Sequence, residues 1–357
     1  MALPPPAASA HLAVLGAKSR PTGSPEAAEA RGYCAEVLTK LGFRVQEHPF
    51  EFSAFSGRWA APLAGLLIPT LATLLVGPIG SRVAWTGVGA TVILLLLLAR
   101  WASGDGVVRA PVLRRQGVNI EATRGESPAV WLVAHLDSKW QPVSMIVRVA
   151  GVLTLAIGLV ALIVLRFADA RLVPWALVVV WLGALPLILS VVGARNHGAL
   201  DNASGVATVL DVAGRVDRSL SLGVLITDAE ELALAGARVW VSEARYGPAI
   251  AINCDTVDDE GPLVLMYTGS RPSRIVSALE AAASSAGEEI RTLPLIPGIL
   301  TDSIALAARK WETLTLSRGT LRTLQRIHTS RDTLATMSGR GISGAAEVLA
   351  RVATELA

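Results

Sequence analysis

Four stretches of this chain carry no charged side chain: residues 59–81, 83–99, 149–165 and 172–194. A helix needs about 20 apolar residues to cross a bilayer core, and roughly 17 is the lower limit. All four stretches meet that limit, and they fall in two closely spaced pairs. Helices buried in a soluble core are the alternative, but four such runs in two pairs argue against it. Trp59, Trp85 and Trp101 lie near span ends, where an interfacial aromatic belt would put them. The pattern predicts two transmembrane hairpins, 59–101 and 145–194. The remaining segments, 1–58, 102–144 and 195–357, then form one discontinuous domain that the hairpins interrupt.

The apolar runs account for a mean hydropathy of +0.50 with only 17% charged residues. Lys and Arg number 32 against 29 for Asp and Glu, a net charge of +3. That excess is too small and too scattered for a nucleic-acid surface. Cys34 and Cys254 are the two cysteines, and they make no disulfide framework. Met1 to Ala10 lacks the basic region and apolar stretch of a signal peptide.

Between the hairpins, strands alternate with helices. Pro25 to Leu41 reads as a helix, with Ser24 as N-cap, Pro25 at the first position and Gly42 as the stop. Strands are expected at 43–52, 117–123, 129–135, 222–227, 249–254 and 313–317. Helices are expected at 204–214, 231–243, 273–286 and 342–357. This alternation argues an α/β sandwich around a largely buried sheet. The first three strands, taken as an antiparallel meander, would end β-strands one and three on one edge, turning the site toward the membrane.

Five possible metal ligands occur along that framework. They are His135 (His-Leu-Asp), Asp201 (Asp-Asn-Ala-Ser-Gly), Glu231 (Glu-Glu), Asp255 (Asn-Cys-Asp) and His328 (His-Thr-Ser-Arg-Asp). Two imidazoles and three carboxylates suit a pair of zinc ions if one carboxylate bridges them. Each has an ordinary structural alternative: Asp201 as a helix N-cap, the Glu230–Glu231 pair as a solvated first turn, Asp255 as a turn cap. Their conjunction at strand ends argues for the site. Asp137, two residues beyond His135, suits an orienting partner for a ligating imidazole. Glu230 suits a general base beside the ligand Glu231.

These motifs resemble the co-catalytic zinc aminopeptidase family, which includes bacterial aminopeptidases, glutamate carboxypeptidases and glutaminyl cyclases. The resemblance begins at Arg20-Pro21-Thr22-Gly23-Ser24-Pro25 and ends at His328-Thr329-x-x-Asp332-Thr333. It covers nearly the whole chain outside the hairpins, and it implies a mixed, mostly parallel central sheet sandwiched by helices. It also implies roles: His135 and Asp255 on one Zn2+, Glu231 and His328 on the other, Asp201 bridging, Glu230 as base and Asp137 as orienter. Three departures affect specificity and spare the ligands. Ile327 stands where some members carry a Tyr, Thr301-Asp302-Ser303-Ile304-Ala305-Leu306 replaces Ser-Asp-His-x-Pro-Phe, and Ala233 replaces a glycine.

The expected activity is that of a membrane-embedded dizinc exopeptidase, an aminopeptidase acting on a peptide or amide substrate. An amidohydrolase of a lipidated or membrane-held amide is a second possibility, and an inactive membrane scaffold a third. The complete ligand set argues against a glutaminyl cyclase. Four spans return the chain to its starting side. Arg44, Arg58, Arg100, Arg109, Arg114, Arg115, Lys139, Arg148 and Arg195 lie in short flanks there, against Arg82, Arg166 and Arg171 opposite. The positive-inside rule then puts the catalytic domain in the cytoplasm.

Overall fold

The computed structural model describes residues 8–76, 89–90, 93–94, 96–101, 104–243, 246–296 and 298–357. The chain divides into two compact units: residues 1–52, 115–140 and 194–357 form one, and residues 53–114 and 141–193 the other.

The first unit is built on an eight-stranded sheet. Its strands are β1 (Arg44–Ser53), β2 (Arg114–Arg124), β3 (Val130–His135), β4 (Leu222–Thr227), β5 (Ile250–Val257), β6 (Leu263–Tyr267), β7 (Ile290–Pro294) and β8 (Glu312–Arg318). Their order is β1-β2-β4-β3-β5-β8-β6-β7. The pairs β3–β4, β3–β5, β5–β8 and β6–β7 are parallel, while β2–β4 and β6–β8 are antiparallel. Every residue of β3 and β4 is buried. Such strands read as continuous apolar runs because helices cover both faces of a parallel sheet.

The expected three-strand meander does not form. β4 lies between β2 and β3, because a six-residue strand buried throughout belongs in the sheet centre. The shared edge inferred from the meander, and the membrane-facing site drawn from that edge, lose their basis.

Helix Pro25–Lys40 starts as its sequence predicts: the Ser24 hydroxyl accepts from the Ala27 N–H, with Pro25 in the first turn. Helix Gly205–Arg215 is buried along most of its length. It packs against the sheet, helix Ala8–Leu15 and helix Arg340–Leu356. Helix Ala8–Leu15, β6 and β7 were not expected from the sequence. The two strands have five residues each and are only partly buried, so they lack the unbroken apolar run that marks β3 and β4. The helix expected at 231–243 begins later, at Ala235. Ala233 and Leu234 have φ of 73° and 60°, and this left-handed backbone interrupts the helical path.

Among its described residues the second unit contains three helices long and apolar enough to cross a membrane: Phe55–Val76, Met145–Ala168 and Ala170–Ile188. Most of the third lies in helix Val173–Ile188. Of the stretches read as spans, residues 77–81 of the first, and residues 83–88, 91, 92 and 95 of the second, lie outside the described residues. Close approach sets the helix packing. A Cβ on Gly158 would stand 2.9 Å from the Val180 backbone nitrogen, and one on Gly65 would stand 2.8 Å from that of Ile188. The Trp181 indole donates to the Thr73 hydroxyl at 3.1 Å, a polar tie of the kind that joins helices in apolar surroundings.

Candidate metal centre

The chain order of the sheet gives the site its place. From β3 the chain reaches β4 on one side and β5 on the other. In open α/β sheets, crevices form at the carboxyl ends of strands where the order diverges in this way. His135 is the last residue of β3 and Asp255 lies near the end of β5. Glu230 and Glu231 follow β4 in a tight turn, and His328 follows β8 by way of helix Leu321–Arg326.

Asp201 is the centre of the arrangement. Its Oδ1 is 3.1 Å from His135 Nε2 and its Oδ2 is 2.8 Å from His328 Nε2. His328 Nε2 is also 3.1 Å from Glu231 Oε1. His135 Nε2 has Asp255 Oδ1 at 3.8 Å and Glu230 Oε2 at 3.9 Å. Possible ligand atoms fall into two sets, one from His135, Glu230 and Asp255 and one from Asp201, Glu231 and His328, each within 4.8 Å. All five residues proposed as ligands, with Glu230, converge here.

The donors fit zinc. His135 Nε2 and Glu231 Oε1 are buried, yet neither has a hydrogen-bond partner among the described residues. Asp201 Oδ1 is within ion-pair distance of that imidazole nitrogen but outside hydrogen-bond geometry. Buried polar atoms are normally satisfied. Imidazole and carboxylate atoms converging this way match the ligand chemistry of Zn2+.

Backbone and buried polar groups hold these side chains. Asp201 and Asn202 are joined by a cis peptide bond. Asp201 does not cap the helix that follows; its carboxylate faces the two imidazoles. Asn202 Nδ2 donates to the Cys254 carbonyl, and its Oδ1 accepts from the Gly205 and Thr256 N–H groups, tying the Asp201 turn to β5. Asp332 accepts from the N–H groups of Leu200 at 2.5 Å and Asp201 at 3.2 Å. Asp137 accepts from the N–H of Glu230 at 3.0 Å and of Glu231 at 3.2 Å. The His135 ring is held through Nδ1, 3.0 Å from the Asp137 carbonyl and 3.5 Å from its carboxylate. Asp137 thus meets His135 mainly through its backbone, while its side chain braces the glutamate turn.

The charges are strongly coupled. Burial alone would raise Asp201, but His328 and His135 hold it well below the usual carboxylate range. Burial likewise works against Glu231, which His328 and Lys139 bring to about 2. Burial pushes Glu230 well above its ordinary value, and Glu231, Asp255 and Asp302 add to the rise while His135 opposes it. A carboxylate raised in this way binds a proton more tightly than an ordinary one, a property that general-base chemistry uses.

Three further residues belong to the site. Lys139 Nζ is 2.6 Å from Glu231 Oε2. Asp302, fully buried, accepts from the Thr227 hydroxyl at 2.5 Å. Arg20, also buried, donates to the carbonyls of Leu136, His197 and Gly198, joining the loops that bear His135 and Asp201. Arg20 and Asp302 stood inside family-like motifs without an assigned role. Lys139 read as a loop charge, and its place four residues after His135 was the available signal.

Residues 118–353 match peptidase family M28. Among solved structures, the chain is similar to an aminopeptidase from Aneurinibacillus sp. strain AM-1, at 14% identity and a TM-score of 0.58, covering 97% of this chain and 92% of that one. It is also similar to the glutaminyl cyclase of Porphyromonas gingivalis, at 15% identity and a TM-score of 0.58, covering 98% of both chains. A third is BSAP, a zinc aminopeptidase from Bacillus subtilis, at 13% identity and a TM-score of 0.58, covering 98% and 94%. At such identities these likenesses establish the fold. No curated protein sequence matches the chain. The family match spans well over half of the sequence and contains every proposed ligand, so the chain belongs to peptidase family M28 and is a zinc-dependent metallopeptidase.

Proposed function

We propose that the protein is a membrane-anchored dizinc exopeptidase, an aminopeptidase, with its catalytic domain on the cytoplasmic side. The observation that carries the site is Asp201, whose two oxygens each face a different imidazole, at 3.1 and 2.8 Å. In this reading His135 and Asp255 hold one zinc, Glu231 and His328 the other, and Asp201 serves both. Bound zinc supplies Lewis acidity and lowers the pKa of water.

Glu230 accepts a proton from the attacking water as its oxygen bonds to the peptide carbonyl carbon. It then returns that proton to the amine nitrogen as the C–N bond breaks. Asp137 fixes the turn carrying Glu230 through its two N–H groups, and Asp332 fixes Asp201. A metal-held water with a base beside it is an arrangement suited to water attack on an amide.

Membrane anchoring draws support from the three long apolar helices. The reading includes four spans, with 59–101 and 145–194 as hairpins and 1–58, 102–144 and 195–357 as the catalytic domain. Labelling of single cysteines at Ser81 and Ser127 by an impermeant reagent in intact cells tests sidedness. Labelling at Ser127 with Ser81 protected would put the peptidase outside.

Activity is tested on the detergent-purified chain with aminoacyl, N-acyl and peptide-amide substrates. Glu230→Gln is expected to retain zinc and lose about 10²- to 10⁴-fold in turnover; wild-type turnover would remove Glu230 as the base. Asp201→Ala is expected to lose more zinc than His135→Ala or His328→Ala, and equal losses would remove the bridge. Cleavage confined to N-acyl substrates would favour the amidohydrolase reading, which draws on the same apolar helices.

A further inference from the structure

Lys139 is a buried lysine whose ammonium touches one oxygen of a proposed zinc ligand. Its side chain is 10% exposed, that of Glu231 5%, and the Nζ–Oε2 distance is 2.6 Å. Glu231 divides its oxygens between two tasks. Oε2 meets Lys139, while Oε1 lies 3.1 Å from His328 Nε2 and has no hydrogen-bond partner among the described residues. The lysine is itself anchored, because Asn196 Nδ2 donates to its carbonyl at 3.0 Å and stands 3.4 Å from Asp332 Oδ2. Loop 137–139 therefore braces the glutamate turn twice, through the Asp137 carboxylate and through the Lys139 ammonium.

We propose that Lys139 is a positioning residue that confines Glu231 to binding zinc through Oε1 and maintains a fixed positive charge beside that ion. The inference rests on the reading of Glu231 as a ligand. Two consequences follow from the charge. An ammonium is a compact point charge, and like charges a few ångströms apart repel strongly where water is excluded. Zinc is then held less tightly than the same ligands would hold it without the lysine. The site also keeps more of its electrophilic character, because Lys139 draws off part of the negative charge that Glu231 would otherwise donate. A purely orienting partner would act in the opposite direction on affinity, since its removal typically weakens metal binding by about 10- to 100-fold.

The sign of the change in zinc affinity therefore tests the proposal. Zinc affinity of the full chain in detergent is measured by competition with a chromogenic chelator, alongside kcat and KM. Lys139→Met is expected to tighten zinc by about tenfold or more and to lower kcat with little change in KM. Lys139→Gln, which keeps a donor and loses the charge, is expected to tighten zinc likewise. Lys139→Arg is expected to restore both quantities toward wild type. Weaker or unchanged zinc binding in Lys139→Met, or wild-type affinity in Lys139→Gln, would overturn the proposal. Glu231→Ala separates the two levels: if it binds zinc as wild type does, the ligand assignment has failed and not the role of the charge.

Discussion

The two units of this chain differ in how many of their large apolar side chains they leave on the surface. In the sheet-bearing unit the largest apolar groups are the most deeply buried; Trp131, Phe52, Leu132 and Leu210 are hidden almost completely. In the helical unit Phe167 is 89% exposed, Trp175 71% and Ile157 66%. In the packed seams there, Gly151 and Gly158 on one helix and Ala176, Gly183 and Ala184 on the next are buried beside Leu155, Leu162, Val180 and Leu187. Water drives large apolar surface inward. Hydrocarbon exerts no such drive, so helices within it associate through small residues that allow close approach. The outward display of large apolar groups supports the membrane location proposed above, beside helix length.

The contrast can be broken at the core first. Trp131 packs against Tyr246, Trp240 and Trp311 with ring centroids 4.9, 5.1 and 6.1 Å away. Trp131→Ala should destabilise the sheet-bearing unit by about 3–5 kcal/mol, read by chemical denaturation in detergent. A loss below about 1 kcal/mol would show that this cluster is not a water-driven core.

The outward face of the helical unit should tolerate apolar changes and reject charge. Ile157→Arg should oppose insertion by about 2.5–3.5 kcal/mol at mid-span, seen as a fall in the membrane-integrated fraction of expressed chain. Undiminished integration would contradict a lipid-facing position.

The seam should fail when it is filled. A Cβ at Gly183 would meet the backbone of Leu155 and Thr154. Gly183→Leu should therefore cost about 1–3 kcal/mol through overpacking, measured as a lowered Tm in detergent. An unchanged Tm would mean that the helices can part without loss.

The smallest effect belongs to the site. Ala233 has φ 73° and ψ 43° in the glutamate turn, a region costing a non-glycine residue roughly 1–2 kcal/mol. Glycine relieves that strain but has more entropy to lose in folding. Ala233→Gly should leave a net gain of about 1 kcal/mol or less, visible as a small rise in Tm. A fall would show that the entropy term exceeds the strain.

Much of this molecule was legible in its sequence because the relevant patterns are local. The Ser24-Pro25 start of a helix, the unbroken apolar runs of β3 and β4, and the long charge-free stretches each depend on neighbours within a few residues. Covalent sequence also determined which side chains are available for chemistry: two imidazoles and a set of carboxylates, each next to a strand end or a turn. Short, half-buried β6 and β7 lay below that threshold, since five residues with mixed exposure resemble any loop.

Tertiary structure alone decided the rest. It put β4 between β2 and β3, turned each oxygen of Asp201 to a different imidazole, and directed the Asp137 side chain to the glutamate turn. It also brought Lys139 onto Glu231, where the sequence offered only a charge in a loop. These outcomes depend on contacts between residues far apart in the chain, whose distances are set by how the sheet closes and how buried polar groups are satisfied. Local propensity contains no information about such distances, so the candidate side chains could be named from the sequence while the distances between them could not.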